Sequence, residues 1–179
     1  MSVLARRLTA IDDALSQAGL PHAFGGAIAL AYCTEEPRGT RDLDVNVFVD
    51  PDAAEQVLTA LPEEVTSTAA DAARLRRDGQ VRVWWQDTPI DLFLNVHAFH
   101  QQVAVGVRQV PFAGRRIPVL GCDELAVFKA LIGRTKDWAD IEAMIERGSI
   151  EAAETAGHLE RIVGAEHPAT LRLAELRPA

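Results

Sequence analysis

The sequence predicts an α+β fold, a small mixed β-sheet flanked by helices and followed by a C-terminal helical region. Two observations support this class. Short strand-like runs occur within the first two thirds of the chain, the clearest at 42–50, where apolar and polar residues alternate with period two. From Gly121 onward the apolar spacing is helical only. The length of 179 residues suits one domain, or a domain with a helical appendage.

The N-terminal part begins with a helix. Residues 3–18 carry a helical apolar stripe that Gly19 ends. Gly25-Gly26 then precedes a short apolar helix, and a polar loop over 34–41 leads into the strand at 42–50. These signals predict helix, glycine turn, helix, loop and strand in that order.

The middle of the chain alternates between helices and strands. Helices are predicted at 52–60, after Asp50 as a cap, and at 69–78, before Gly79. Strands at 80–86 and 89–96 are separated by a short connection, which predicts a hairpin. One or two further short strands are expected within 103–120. The strands at 43–49, 81–86 and 89–95 are expected to neighbour one another, because they are close in sequence.

The chain is predicted to have a sheet-bearing core over 1–120 and a helical region over 121–179, together forming one compact unit. Glycines at 133, 148 and 164 separate the helices of the second region.

Composition narrows the class of protein. With 48% hydrophobic and 25% charged residues, the chain is typical of globular proteins. No apolar run approaches the ~20 residues that a membrane helix needs, and no secretory signal is recognised, so a cytoplasmic protein without membrane contact is expected. Cys33 and Cys122 are too few for a disulfide framework and are expected to be small buried side chains.

The charge pattern allows only a local basic site. A net charge of −8 argues against an extended nucleic-acid surface, but it leaves room for a small basic pocket. Among 18 basic residues only Lys129 and Lys136 are lysines, and they lie seven positions apart.

Asp42 and Asp44 are the first candidate site residues. In a strand, this spacing turns both carboxylates to one face, where they repel each other unless a cation lies between them. Mg²⁺ prefers one or two carboxylates together with substrate phosphates. An exposed strand end with two acids remains the alternative.

Gly25-Gly26 is the second candidate feature. Glycines allow close approach to a phosphate, and the N-terminus of the following helix offers unpaired N–H groups. A tight strand-to-helix turn is the alternative explanation. The chain has neither a P-loop nor a dinucleotide-binding fingerprint.

Asp91 is the third candidate, because an acid inside an apolar strand needs a partner or a metal. The alternatives are a salt bridge to an arginine, or a cation shared with Asp42 and Asp44. In the second case, three carboxylates would hold two metal ions for a phosphoryl transfer.

The stretch GGAIALAYCTEEPRGTRDLDVNVF resembles the signature of the nucleotidyltransferase (polymerase-beta-like) superfamily, with Gly25, Gly26, Asp42 and Asp44 matching directly. Asp91 matches by order and strand context. The resemblance implies the nucleotidyltransferase fold and transfer of a nucleoside monophosphate from an NTP, with two Mg²⁺ ions bound by the three aspartates.

A second block, residues 123–145, is similar to the AbiEii-like nucleotidyltransferases, which include toxins of type IV toxin–antitoxin systems. The matching residues are Lys129, Arg134, Lys136, Asp137, Asp140 and Ile141, with Arg38 and Thr40 in the R-x-T-x-D-[ILV]-D form. The branch implies nucleotide contacts by these side chains and a cognate antitoxin as a possible partner.

The residues themselves leave two explanations of the second block open. Lys129, Arg134 and Lys136 could meet a triphosphate or the departing pyrophosphate, with Asp137 and Asp140 orienting these cations or capping a helix. Alternatively, the block is an ordinary charged helical hairpin with an i,i+4 pair between Lys136 and Asp140.

Trp84 and Trp85 are adjacent on a strand, so only one of them can face a site. Stacking on a base is possible for that residue, and core packing is the stronger expectation. The five histidines lack zinc spacing, and no serine has a nucleophile-elbow context.

The expected function is therefore Mg²⁺-dependent transfer of NMP to an acceptor hydroxyl on tRNA, a protein or a small molecule. An aminoglycoside-type antibiotic nucleotidyltransferase is an alternative, because an acidic surface suits cationic drugs. A non-catalytic nucleotide-binding or antitoxin-like module that retains the fold is another.

Overall fold

The computed structural model describes residues 1–96 and 99–176, without the side chains of 101 and 102. The chain divides into two compact units. Unit 1 consists of Met1–Ile28 and Gly39–Leu120, and unit 2 consists of Ala29–Arg38 and Gly121–Ala179. Within the described residues, no helix is long and apolar enough to cross a membrane.

Unit 1 contains all the strands that the structure describes. Its elements in chain order are α1 (Val3–Gln17), β1 (His22–Phe24), β2 (Leu43–Val47), a 3₁₀ turn (Pro51–Ala53), α3 (Ala54–Ala60), α4 (Ala69–Asp78), β3 (Gln80–Trp85), β4 (Thr88–Phe93), α5 (Phe99–Val105), β5 (Arg108–Phe112) and β6 (Arg115–Val119). Helix α2 (Gly26–Thr34) begins in unit 1 and ends in unit 2.

The six strands form one mixed sheet in the order β3-β4-β2-β1-β6-β5. β2 pairs in parallel with β4, and β3 pairs antiparallel with β4 in a hairpin. β1 is antiparallel to β2 and parallel to β6. The fold is therefore α+β with a mixed sheet, as the sequence predicts.

The two faces of β3, β4 and β2 differ in polarity. Val83, Ile90 and Leu43 are buried on one face, whereas Asp44 and Asp91 lie partly exposed on the other. The period-two alternation produces this difference, because successive side chains point to opposite faces. α4 packs against β3 and α1 against β1.

Unit 2 is helical. Besides the end of α2 it contains α6 (Cys122–Ile132), α7 (Thr135–Arg147), α8 (Ala152–Val163) and α9 (Pro168–Glu175). Gly133 and Gly148 end α6 and α7 in the left-handed conformation, with φ of 70° and 73°. A glycine at each of these positions avoids the steric cost that other residues pay there.

Most elements agree with the sequence prediction, and the exceptions are local. The predicted helices and the hairpin are found, and β5 and β6 are the strands expected within 103–120. Two elements were not predicted. No helix was assigned to Phe99–Val105 from the sequence, and β1, only three residues long, had no alternation to reveal it.

Cys33 and Cys122 are buried, as predicted, but they are joined in a disulfide. Their Cα atoms lie 5.7 Å apart, within the range that a disulfide can span. Both cysteines belong to unit 2, Cys33 near the end of α2 and Cys122 at the start of α6. A lasting disulfide is unusual in a reducing cytoplasm, so this bond runs against the expected compartment.

We expect the double substitution Cys33→Ala, Cys122→Ala to lower the free energy of unfolding by roughly 4 kcal/mol, because the bond closes a long loop in the unfolded chain. Urea unfolding measures this loss. Dithiothreitol should lower the stability of the wild type and leave the double variant unchanged. Two thiols that alkylate in denaturant without reductant would contradict the bond.

Candidate functional site

The turn at Gly25-Gly26 lies directly against Asp44. The Gly25 N–H donates to the Asp44 carbonyl oxygen at 2.8 Å, which ties the turn to β2. Gly26 has φ of +48°, and a Cβ atom there would lie 1.8 Å from Asp44 Oδ2. Gly25 has little more room, since a Cβ would lie 3.0 Å from Asn46 Nδ2. Gly26 therefore favours glycine on both grounds, whereas a larger residue at Gly25 would require the Asn46 and Leu120 side chains to shift.

The three aspartates occupy neighbouring positions on the polar face of the sheet. Asp42 directly precedes β2 and Asp44 lies within it, and the charges of both act on Arg82. Asp44 is the direct register partner of Asp91 across the parallel β2–β4 pair. Adjacent strands lie about 4.8 Å apart, so Asp91 is beside Asp44. The family resemblance implied that these residues lie together. The β2–β4 pairing explains why Asp44 and Asp91 do so.

Thr40 and Arg82 bind two of these carboxylates. The Thr40 hydroxyl donates a hydrogen bond to Asp42. Arg82 donates to both oxygens of Asp91, from Nε at 2.7 Å and from Nη2 at 2.6 Å. The arginine partner considered for Asp91 is therefore present, and Asp91 also lies next to Asp44, while a cation shared by the three carboxylates stays a prediction.

All three aspartates interact electrostatically with Arg82. Its bidentate hydrogen bonds to Asp91 raise the pKa of its guanidinium, and the charges of Asp91, Asp42 and Asp44 raise it further. Arg82 is thus held as a cation among the three carboxylates.

The carboxylates suit a hard cation in part. Asp42 and Asp44 supply the oxygen donors that Mg²⁺ prefers. Asp91 already has both oxygens engaged by Arg82. Among the residues that the structure describes, no three His, Cys, Asp or Glu side chains are arranged to hold one metal ion. Asp42 and Asp44 are then the two carboxylates that Arg82 leaves for an ion.

Trp84 also lies on the polar face. It is two residues from Arg82 along β3, so the two side chains share that face. Trp84 is 46% exposed, and the expectation of core packing is wrong for this residue. Trp85 is less exposed, and the Arg7 guanidinium lies over its ring.

Arg82 was not predicted as a site residue, although the sequence contained a signal for it. A two-residue turn at 86–87 makes Arg82 face Asp91 in the hairpin, since their numbers are symmetrical about that turn. The same register places Trp84 opposite Pro89.

Five of the remaining predicted residues form one ion-pair network within unit 2. Lys129 Nζ lies 2.6 Å from Asp140 Oδ2 and 3.5 Å from Asp137 Oδ1. Arg38 binds Asp140 at 2.8 Å, and Arg134 Nε binds Asp137 at 2.6 Å. The network joins residues about a hundred positions apart in sequence, and it contains three cations and two carboxylates.

Burial divides the network. The side chains of Asp137 and Asp140 are 1% and 5% exposed, and Lys129 is 10% exposed, whereas Arg38 and Arg134 are each 55% exposed. Asp137 also caps α7 by accepting the Arg134 N–H. Asp137 and Asp140 therefore both bind cations, and Asp137 also caps a helix, which are the two roles expected of these aspartates.

Asp140 does not form the pair with Lys136 that was considered as an alternative for the second block. Its oxygens accept from Lys129 and Arg38 instead, and Lys136 is exposed at the start of α7. The nucleotide contacts expected of the basic residues remain predictions.

No protein-family model and no curated protein matches the sequence. Solved structures do match. The crystal structure of ANT(2″)-Ia in complex with adenylyl-2″-tobramycin aligns over 90% of this chain and 97% of its own, with 13% identity and a TM-score of 0.64.

Two further structures extend the comparison. A proposed nucleotidyltransferase from Thermotoga maritima aligns over 76% of this chain and 88% of its own, at 16% identity and a TM-score of 0.53. An antigenic nucleotidyltransferase-like protein from Paracoccidioides brasiliensis aligns over 99% and 95%, at 16% identity and 0.53. The chain has the nucleotidyltransferase fold.

The Asp137 carboxylate is predicted to make folding sensitive to acid. Burial pushes its pKa up, but the hydrogen bonds from Arg134 and the charge of Lys129 outweigh this and hold the pKa below its usual value. A lowered folded pKa stabilises the protein above the unfolded pKa of about 3.9, and this contribution is lost as pH falls through the folded pKa.

We therefore expect Asp137→Asn to cost about 3 kcal/mol at pH 7, because it leaves Lys129 and Arg134 with less compensating charge. Urea unfolding across pH should show the difference from wild type shrinking below about pH 4. Glu142→Gln, an exposed acid on the same helix, is the matched control and should change stability by less than about 0.5 kcal/mol. A pH-independent loss would contradict the ion-pair explanation.

The close approach at Gly26 is tested by comparing two alanine substitutions. Gly19 also has positive φ, but a Cβ there meets nothing within 4 Å, so Gly19→Ala should cost only the backbone term of about 1–2 kcal/mol. Gly26→Ala should cost about 1–3 kcal/mol more, because Asp44 must move. Equal losses in urea unfolding would show that the approach to Asp44 is unimportant.

Proposed function

We propose that this protein is a nucleotidyltransferase that moves a nucleoside monophosphate from an NTP to an acceptor hydroxyl, with Mg²⁺ held at Asp42 and Asp44. The observation that carries the proposal is the juxtaposition of these two carboxylates, the Gly25-Gly26 turn and the register partner Asp91 on one sheet face. The nucleotidyltransferase fold of the structural neighbours supports it.

Each site residue of unit 1 has a separate role in this proposal. Asp42 and Asp44 would hold the ion, which when bound supplies positive charge for the phosphates and lowers the pKa of an attacking hydroxyl. The glycine turn lies against Asp44 and begins α2, whose N-terminal N–H groups suit an anion. Thr40 orients Asp42 through its hydrogen bond. Catalysis would be mainly positioning and electrostatics.

Trp84 is our candidate for stacking against a nucleobase or a ring of the acceptor. An exposed indole on the same face as the carboxylates offers a flat apolar surface to such a ring.

We place the protein in the AbiEii-like branch on the strength of its second sequence block. Arg38, from the first block, binds Asp140, from the second, so the two blocks meet in one ion-pair network. This contact supports a common role for the two blocks. A tRNA or protein acceptor, a toxin role and a cognate antitoxin follow from the branch as parts of the proposal.

A small cationic acceptor is the second candidate. The structure of ANT(2″)-Ia with adenylyl-2″-tobramycin aligns over nearly the whole of both chains, and the net charge of −8 suits a cationic drug.

The test is transfer of label from each α-labelled NTP, with Mg²⁺, to tRNA, to proteins of a lysate and to aminoglycosides. We expect label on one acceptor class and a loss on the order of 10²-fold or more in Asp44→Asn, because charge stabilisation of the transferring phosphate is removed. Asp52→Asn, which changes an exposed acid outside the site, should retain activity.

The panel decides between the candidates. Label on tRNA or protein favours the AbiEii-like acceptor, and label on an aminoglycoside favours the second candidate. Wild-type activity in Asp44→Asn would overturn the proposed metal site. NTP and Mg²⁺ binding by calorimetry without label on any acceptor would instead favour a non-catalytic module.

A further inference from the structure

Arg82 engages both oxygens of Asp91, the carboxylate that a second metal ion would need. Its guanidinium donates two parallel hydrogen bonds to Asp91, at 2.7 and 2.6 Å. This bidentate geometry is the strongest arrangement for an arginine and a carboxylate, and both Asp91 oxygens are used by it. Arginine also remains protonated at any working pH, so this cation is permanent.

The backbone holds Arg82 opposite Asp91. Six consecutive residue pairs set the β3–β4 register, from Gln80 with Phe93 to Trp85 with Thr88. Arg7 on α1 clamps the hairpin turn by donating to Asp87 at 2.7 Å and to Gln86 at 2.7 Å. The pair is therefore a consequence of strand pairing within unit 1.

The charge balance favours one divalent ion beside Arg82. The carboxylates of Asp42, Asp44 and Asp91 carry three negative charges, and Arg82 reduces their sum to two. A single divalent ion neutralises that remainder. A second ion at Asp91 would compete with Arg82 for the same two oxygens.

We propose that Arg82 is an internal cation that takes the place of the second metal ion at Asp91, so that the nucleotide-loaded site holds one divalent ion. The inference rests on the proposed function, since it concerns the same carboxylates. Arg82 thereby acts as a positioning residue that holds the orientation of Asp91 and limits the metal stoichiometry.

Mn²⁺ bound in the presence of an NTP analogue with a non-transferable α-phosphate tests this stoichiometry. Electron paramagnetic resonance distinguishes one ion from two, because two ions about 3.5–4 Å apart give a spin-coupled spectrum. We expect one uncoupled Mn²⁺ per wild-type chain, and two coupled ions in Arg82→Gln. Arg76→Gln, which removes an exposed arginine paired with Glu55, should resemble the wild type.

Two coupled ions in the wild type, or one ion in both wild type and Arg82→Gln, would overturn the role of Arg82 and leave the proposed function standing. If neither the wild type nor Arg82→Gln changes the Mn²⁺ signal relative to a sample without protein, the proposed metal site is overturned, and this inference with it. Circular dichroism and urea unfolding of Arg82→Gln establish that the variant is folded. Arg82→Lys, which keeps the charge without the bidentate fork, should bind with intermediate stoichiometry.

Discussion

The register between β2 and β4 is the constraint on which the site depends. It places Asp44 beside Asp91, and the hairpin register then places Arg82 beside Asp91 on its other side. Three strands thereby contribute one row of charged side chains, in the order Arg82, Asp91 and Asp44. A slip of one residue in either pairing would turn one member of the row toward the apolar face, where Leu43, Val81 and Ile90 pack. The same hydrophobic alternation that builds the core therefore fixes the chemistry on the opposite face.

The network in unit 2 follows a different rule. Its two aspartates are almost fully buried, and such carboxylates persist as anions only with close cationic partners. Lys129 is shared between them, while the half-exposed Arg38 and Arg134 complete the outer side. Because the partners come from distant parts of the sequence, the network fastens Arg38 to the helical hairpin of α6 and α7. The network matters for folding stability because a buried charge without a partner would destabilise the folded protein.

Local periodicity was enough to predict the class of fold and most elements. Residues 43–47 alternate cleanly, and α4 ends at Gly79 as its sequence indicates. β1 escaped prediction because three residues cannot display a period, and its extended state depends on pairing with β2 and β6. Asp42 and Asp44 were found from spacing. Predicting the role of Arg82 requires the hairpin register, which follows from combining the turn at 86–87 with the strand pattern. Neither signal alone pairs Arg82 with Asp91. The disulfide could not be read from two cysteines 89 positions apart, because their meeting depends on tertiary packing.

The disulfide also has a consequence for how the chain is made. All three aspartates of the sheet site lie between Cys33 and Cys122, within one covalently closed loop. The bond cannot form during synthesis until Cys122 has been added, which at about 5–20 residues per second comes several seconds after Cys33. Once it has formed, a single proteolytic cut anywhere in that loop leaves the two fragments attached to each other. A single cut in the segment that carries the three aspartates would therefore release no free fragment until the disulfide is reduced.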